Sequence, residues 1–125
     1  MIQLDQVYKS FKGTPALQDL SLYAGEGEVL GLLGANGAGK STTINLLLGF
    51  LSPDSGRVAI NDLESSTHLS QVRRLIGYIP ENVSLYPYLT GIENLDYFCR
   101  LAGLNYSKSE LQEFLTTCGL QTEAH

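Results

Sequence analysis

A chain of 125 residues, 43% hydrophobic and with a formal net charge of -5, has the composition of an ordinary soluble globular domain. Eight Lys and Arg against thirteen Asp and Glu exclude the broad basic surface of a nucleic-acid binder. No stretch approaches the roughly 18 apolar residues of a membrane span, and Met1-Ile2-Gln3-Leu4-Asp5 lacks the basic-then-apolar plan of a signal peptide, so the chain is expected to stay in the cytoplasm.

In chain order, Ile2, Leu4 and Val7, then Leu20, Leu22 and Val29, alternate with polar residues in short pieces. They predict strands of a small sheet, with turns at Lys12-Gly13 and Gly25-Glu26-Gly27. The apolar run Val29 to Leu33 predicts a buried strand delivering the chain into Gly34-Ala35-Asn36-Gly37-Ala38-Gly39-Lys40-Ser41. That octapeptide satisfies the phosphate-loop pattern G-x-x-x-x-G-K-[ST]. Thr42 to Leu48 leave it with helical spacing of Ile44, Leu47 and Leu48, stopped by Gly49.

Strand, loop and helix stand in the order that nucleoside triphosphate binding requires. Glycines at 34, 37 and 39 let successive N–H groups turn inward around an anion. The first helical turn adds unpaired N–H groups and the positive end of its dipole. Lys40 is placed to neutralise the β and γ phosphates and the Ser41 hydroxyl to ligate Mg²⁺.

Beyond the loop, Pro53-Asp54-Ser55-Gly56 marks a turn before the strand Arg57 to Ile60, and Asn61-Asp62 turns the chain again. Leu69 to Leu75 predict a short helix, and Ile76 to Ile79 a second buried strand ending at Pro80-Glu81, where α/β sheets face their ligand crevice. Two capping boxes follow. Thr90-Gly91-Ile92-Glu93 opens a helix carrying Ile92, Leu95, Cys99 and Ala102, and Ser107-Lys108-Ser109-Glu110 opens one carrying Leu111, Phe114, Leu115 and Cys118. Gly103 and Gly119 end them. Cys99 and Cys118 are too far apart for a CxxC site, and their apolar stripes predict buried free thiols; His68 and His125 are expected to be solvated.

Phosphate-loop GTPases and small kinases usually begin almost directly with the strand that feeds the loop. The thirty-residue β-rich lead-in and the absence of an Asn-Lys-x-Asp guanine reader set this chain apart. Its motifs together resemble the N-terminal half of an ABC-type ATPase subunit. The phosphate loop has Asn36-Gly37 in its middle and Lys40-Ser41-Thr42-Thr43 at its end, as in that family. Phe11-Lys12-Gly13-Thr14-Pro15-Ala16-Leu17 is similar to the family's lead-in, in which an aromatic stacks on adenine; Phe11 is that residue by the match, and the competing reading is a core residue at a strand end. Ile76-Gly77-Tyr78-Ile79-Pro80-Glu81 resembles the segment that ends with a glutamine linking the nucleotide site to the membrane partner, with Glu81 standing in the glutamine's place. Pro80 to Gly91 is similar to export-type subunits, in particular those of nitrous oxide reductase copper-site maturation.

The resemblance implies an α/β phosphate-loop NTPase: a RecA-like core with an antiparallel β lead-in over residues 1–85, and the beginning of a helical subdomain over 86–125. Implied nucleotide contacts are Phe11, Gly34, Asn36, Gly37, Ala38, Gly39, Lys40, Ser41 and Thr42, with ATP and Mg²⁺ as cofactors. Lys40 and Glu81 are the implied catalytic residues, and Ser41 and Glu81 the implied metal ligands. The implied partners are membrane-spanning transporter subunits and a second ATPase subunit, joined head to tail on ATP, with no nucleic acid. Localisation would be peripheral on the inner face of the cell membrane. The family's signature loop, its Asp-Glu strand and its switch histidine do not occur up to His125, so the chain reads as an incomplete cassette, expected alone to be inactive and poorly folded. The alternatives are a non-hydrolysing nucleotide-binding module and a soluble ABC ATPase.

Overall fold

The computed structural model describes residues 1–120, which fall into two compact units, Met1–Tyr78 and the residues from Ile79 onward. In the first unit β1 (Ile2–Phe11), β2 (Thr14–Ala24), β3 (Ser55–Ile60) and β4 (Leu63–Glu64) form one antiparallel sheet in the order β2-β1-β3-β4. Both tight turns are written in the chain. Lys12 (φ 49) with Gly13 (φ 83) joins β1 to β2, and Asn61 (φ 47) with Asp62 (φ 63) joins β3 to β4. Two successive positive φ values twist such a turn to match the right-handed twist of its strands.

Leu4 and Val7 both enter the core although they are three apart, a spacing that strict alternation would send to opposite faces. An irregularity at Gln6 (φ 44) restores them to one face. Gly56 of β3 passes so close there that a Cβ would collide with the Gln6 carbonyl. On this face Leu4, Val7, Leu17 and Val58 enclose Leu46 of α1 (Lys40–Leu47), with Ile2, Leu20, Leu22, Leu47 and Leu51 packed around them. Each such buried aliphatic contributes about 1.5–3 kcal/mol relative to exposure. That seam fixes α1 against the sheet.

The runs Val29 to Leu33 and Ile76 to Ile79, expected as buried strands, form none. Val29 and Leu33 are 100% and 95% exposed, and Ile79 is 84% exposed. A strand exists only by pairing, and neither run pairs with a strand of the sheet β2-β1-β3-β4. The α/β class therefore rests on the antiparallel lead-in and the helices, and the parallel sheet of a RecA-like core is not formed among the described residues. The short helix is α2 (Leu69–Arg74). His68, its N-cap, is exposed; His125 lies outside the described residues.

The second unit holds α3 (Gly91–Leu101) and α4 (Lys108–Thr117), packed through Ile92 and Leu111 with Leu95, Cys99 and Leu115. Both capping boxes are complete. Thr90 accepts from the Glu93 N–H while Glu93 accepts from the Thr90 N–H at 2.8 Å, and Ser107 and Glu110 repeat the exchange. The Thr90 N–H and hydroxyl hold the Glu93 carboxyl below its ordinary range, and the Ser107 hydroxyl and N–H do the same for Glu110. Cys99 is half-buried, whereas Cys118, expected inside, is exposed at the C-cap of α4. No helix among the described residues is long and apolar enough to cross a membrane.

Candidate nucleotide site

Gly39 ends the phosphate loop and caps α1 with φ 87 and ψ 0, a backbone geometry that side chains oppose. It is also wedged against β2: a Cβ would lie 2.8 Å from the Ala16 carbonyl oxygen and 2.5 Å from Leu17 Cδ2. Glycine is needed there twice over, for conformation and for space. Gly37 has φ 85 with no atom near its would-be Cβ, so conformation alone requires it.

The Thr43 N–H and hydroxyl both donate to the Gly39 carbonyl, at 2.8 and 3.0 Å, and the Ala38 N–H donates to the Ala35 carbonyl at 3.1 Å. The N–H groups of Gly37, Gly39, Lys40, Ser41 and Thr42 donate to no other described residue. No side chain caps α1, and its first turn holds no acidic residue. The end of the helix thus presents free donors and the positive pole of its dipole, with nothing negative to compete. Lys40 Nζ donates to the Gly34 and Ala35 carbonyls at 2.6 and 2.8 Å, bracing the ammonium across the loop.

This donor set fits a polyphosphate. Backbone N–H groups and one ammonium bind anionic oxygens, and the exposed Ser41 hydroxyl is the kind of hard oxygen ligand that Mg²⁺ accepts beside phosphate oxygens. Gly34, Asn36, Ala38 and Thr42 complete the stretch expected from the motif, Thr42 half-buried and the other three exposed.

Phe11 ends β1 opposite Thr14, two residues before the Ala16 carbonyl that touches Gly39. The structure therefore brings the β1–β2 hairpin tip and the phosphate loop together. Phe11 is 44% exposed, which is surface available to a flat base and disagrees with a core role. Glu81 belongs to the second unit, where it is exposed.

Three residues that matter locally were not singled out from the sequence. Asp54, read only as a turn residue, accepts from Lys9 Nζ and from the Ser10 N–H, both at 2.7 Å, and Lys9 lies over the Phe11 ring. Asn94, 4% exposed and off the Ile92-Leu95-Cys99 stripe of α3, accepts from the Tyr86 N–H and donates to the carbonyls of Tyr86, Leu89 and Thr90. Nothing in the order of residues pairs Lys9 with Asp54.

Residues 17–125 match the family model described as ABC transporter. The chain belongs to the ABC transporter family. Among curated ABC relatives, the uncharacterized ABC transporter ATP-binding protein YdbJ of Bacillus subtilis is 34% identical over 125 residues, which are 100% of this chain and 40% of that protein. The linearmycin resistance ATP-binding protein LnrL of the same organism is 33% identical over 126 residues, covering 99% of this chain and 40% of LnrL. Among solved ABC structures, a dimeric ATP-binding cassette, MJ0796, in a post-hydrolysis state bound to ADP and Pi superposes with a TM-score of 0.77 at 26% identity, over 100% of this chain and 61% of that one. The chain spans about 40% of the length of the curated relatives it matches.

Proposed function

We propose that this chain is the nucleotide-binding part of an ABC transporter ATPase subunit, and that its phosphate loop binds Mg-ATP. The observation that carries the proposal is the set of free N–H groups of Gly37, Gly39, Lys40, Ser41 and Thr42 at the bare end of α1, with Lys40 braced across the loop. Lys40 and the free N–H groups of Gly37, Gly39, Lys40, Ser41 and Thr42 hold the phosphates, Ser41 serves the metal, and Phe11 stacks on the base. Bound Mg²⁺ would supply charge neutralisation between the phosphates. The family membership and the ADP and Pi bound by MJ0796 support this assignment.

Hydrolysis requires a second ATPase subunit joined head to tail on ATP, and the dimeric form of MJ0796 supports pairing of two such subunits. Membrane-spanning subunits hold the cassette peripherally at the inner face of the membrane; likeness to YdbJ, an ABC transporter ATP-binding protein, supports work with a transporter. Glu81 acts in the segment that couples the nucleotide site to that partner, and residues 86–125 begin the helical subdomain. In an assembled transporter Glu81→Ala would lower partner-stimulated hydrolysis more than ATP binding; the reverse pattern refutes coupling. The nucleotide proposal is tested by calorimetric titration of the intact protein with Mg-ATP. Lys40→Ala should abolish the heat of binding, and undiminished affinity would overturn the assignment.

A further inference from the structure

The turn before β3 is tied to the end of β1 by one aspartate. Asp54 accepts from Lys9 Nζ through Oδ1 and from the Ser10 N–H through Oδ2, both at 2.7 Å, while its own N–H donates to the Tyr8 carbonyl at 2.9 Å. The bonded ammonium lies 5.8 Å from the centroid of the Phe11 ring, within cation–π range. Only 16% of the Lys9 side chain is exposed, so its stem is packed and its head is held by a single carboxylate. The carboxyl of Asp54 is held below its ordinary range by Lys9 first and by the Ser10 N–H second.

We infer that Asp54 and Lys9 are positioning residues for base binding: Asp54 fixes the Lys9 ammonium over Phe11, and the ammonium fixes the ring on which the base of a nucleoside triphosphate stacks. The inference rests on the nucleotide site proposed above and assigns a further pair of residues to it. A free lysine on a strand samples many rotamers, and an aromatic at a hairpin tip turns about two bonds. The clamp removes both freedoms before the base arrives, so less is lost on binding. Phe11 stays 44% exposed, which leaves it surface for a flat ligand. The phosphates, held by the N–H groups and Lys40, make no use of the clamp.

The test compares Mg-ATP with Mg-tripolyphosphate, a probe that has phosphates and no base, by calorimetry on the intact protein. Asp54→Asn should lower the ratio of the ATP affinity to the tripolyphosphate affinity by about two- to fivefold, the range of an exposed cation–π contact. Lys9→Gln should lower it equally, and Lys9→Arg, which keeps both the carboxylate bond and the stacking cation, should restore it. In a Phe11→Ala background Asp54→Asn should change the ratio no further. An unchanged ratio in Asp54→Asn and Lys9→Gln, an equal loss for both ligands, or an effect that persists without Phe11 would overturn the inference. Failure of the nucleotide site itself is separate, because it would show as intact binding of both ligands to Lys40→Ala.

Discussion

Replacing Gly39 and Gly37 by alanine, one at a time, separates the two reasons a phosphate loop uses glycine. Both residues sit at nearly the same left-handed φ, 87 and 85, so each alanine meets the same conformational penalty of about 1–2 kcal/mol. Each also gains the same offset of about 0.4–1 kcal/mol from a less flexible unfolded chain. They differ in surroundings. The Gly37 Cβ enters open space, whereas the Gly39 Cβ lies 2.8 Å from the Ala16 carbonyl oxygen and 2.5 Å from Leu17 Cδ2. Leu17 can turn aside, but the carbonyl belongs to a laddered strand and can only move with β2. Overpacking of this kind costs about 1–3 kcal/mol, and that is the expected excess of Gly39→Ala over Gly37→Ala. In urea unfolding of the intact protein, with a slope of about 2 kcal/mol per M, the two midpoints should differ by about 1 M. Equal midpoints would refute the packing of the loop against β2.

Asn94→Ala removes the partner of the Tyr86 N–H and of the Leu89 carbonyl, and should cost about 2 kcal/mol while speeding amide exchange at Tyr86; unchanged exchange there would contradict the Asn94–Tyr86 bond. Asp54, Glu93 and Glu110 have carboxyls lowered in the folded state. Their stabilisation is complete above the ordinary carboxylate range and is lost as pH falls through the lowered values. Helix content measured by circular dichroism should fall only in that acid window, and Glu93→Gln with Glu110→Gln should flatten the fall, because glutamine keeps the capping bond without titrating. Residues 1–125 alone, with Val29 at 100%, Leu33 at 95% and Ile79 at 84% exposure, should bind a hydrophobic dye and release no phosphate from ATP above background. A cooperative thermal transition with magnesium-dependent phosphate release would contradict this.

Local signals in the sequence were read correctly where the structure is local. The hairpin turn at Lys12-Gly13, the helix stop at Gly49 and both capping boxes depend on residues a few positions apart, and all stand as expected. The left-handed glycines at 37 and 39 and the start of α1 at Lys40 are local in the same way. Apolar runs were read as strands because hydrophobicity marks a wish for burial, but only a neighbour's ladder makes a strand, and Val29 to Leu33 have none. The parity change at Gln6 and the pairing of Lys9 with Asp54 join residues through register and turn geometry, which periodicity does not carry. Cys118 fell on an apolar stripe, but at its end, where α4 stops and nothing covers it among the described residues.

Backbone amide exchange in the intact protein, with and without Mg-ATP, tests the central claim most directly. If the loop holds the phosphates through its own N–H groups, nucleotide should slow exchange at Gly37, Gly39, Lys40, Ser41 and Thr42, which donate to no described residue without it. The Ala38 and Thr43 amides, already bonded to Ala35 and Gly39, should change far less. Tight binding of Mg-ATP with no added protection at those five amides would contradict the account.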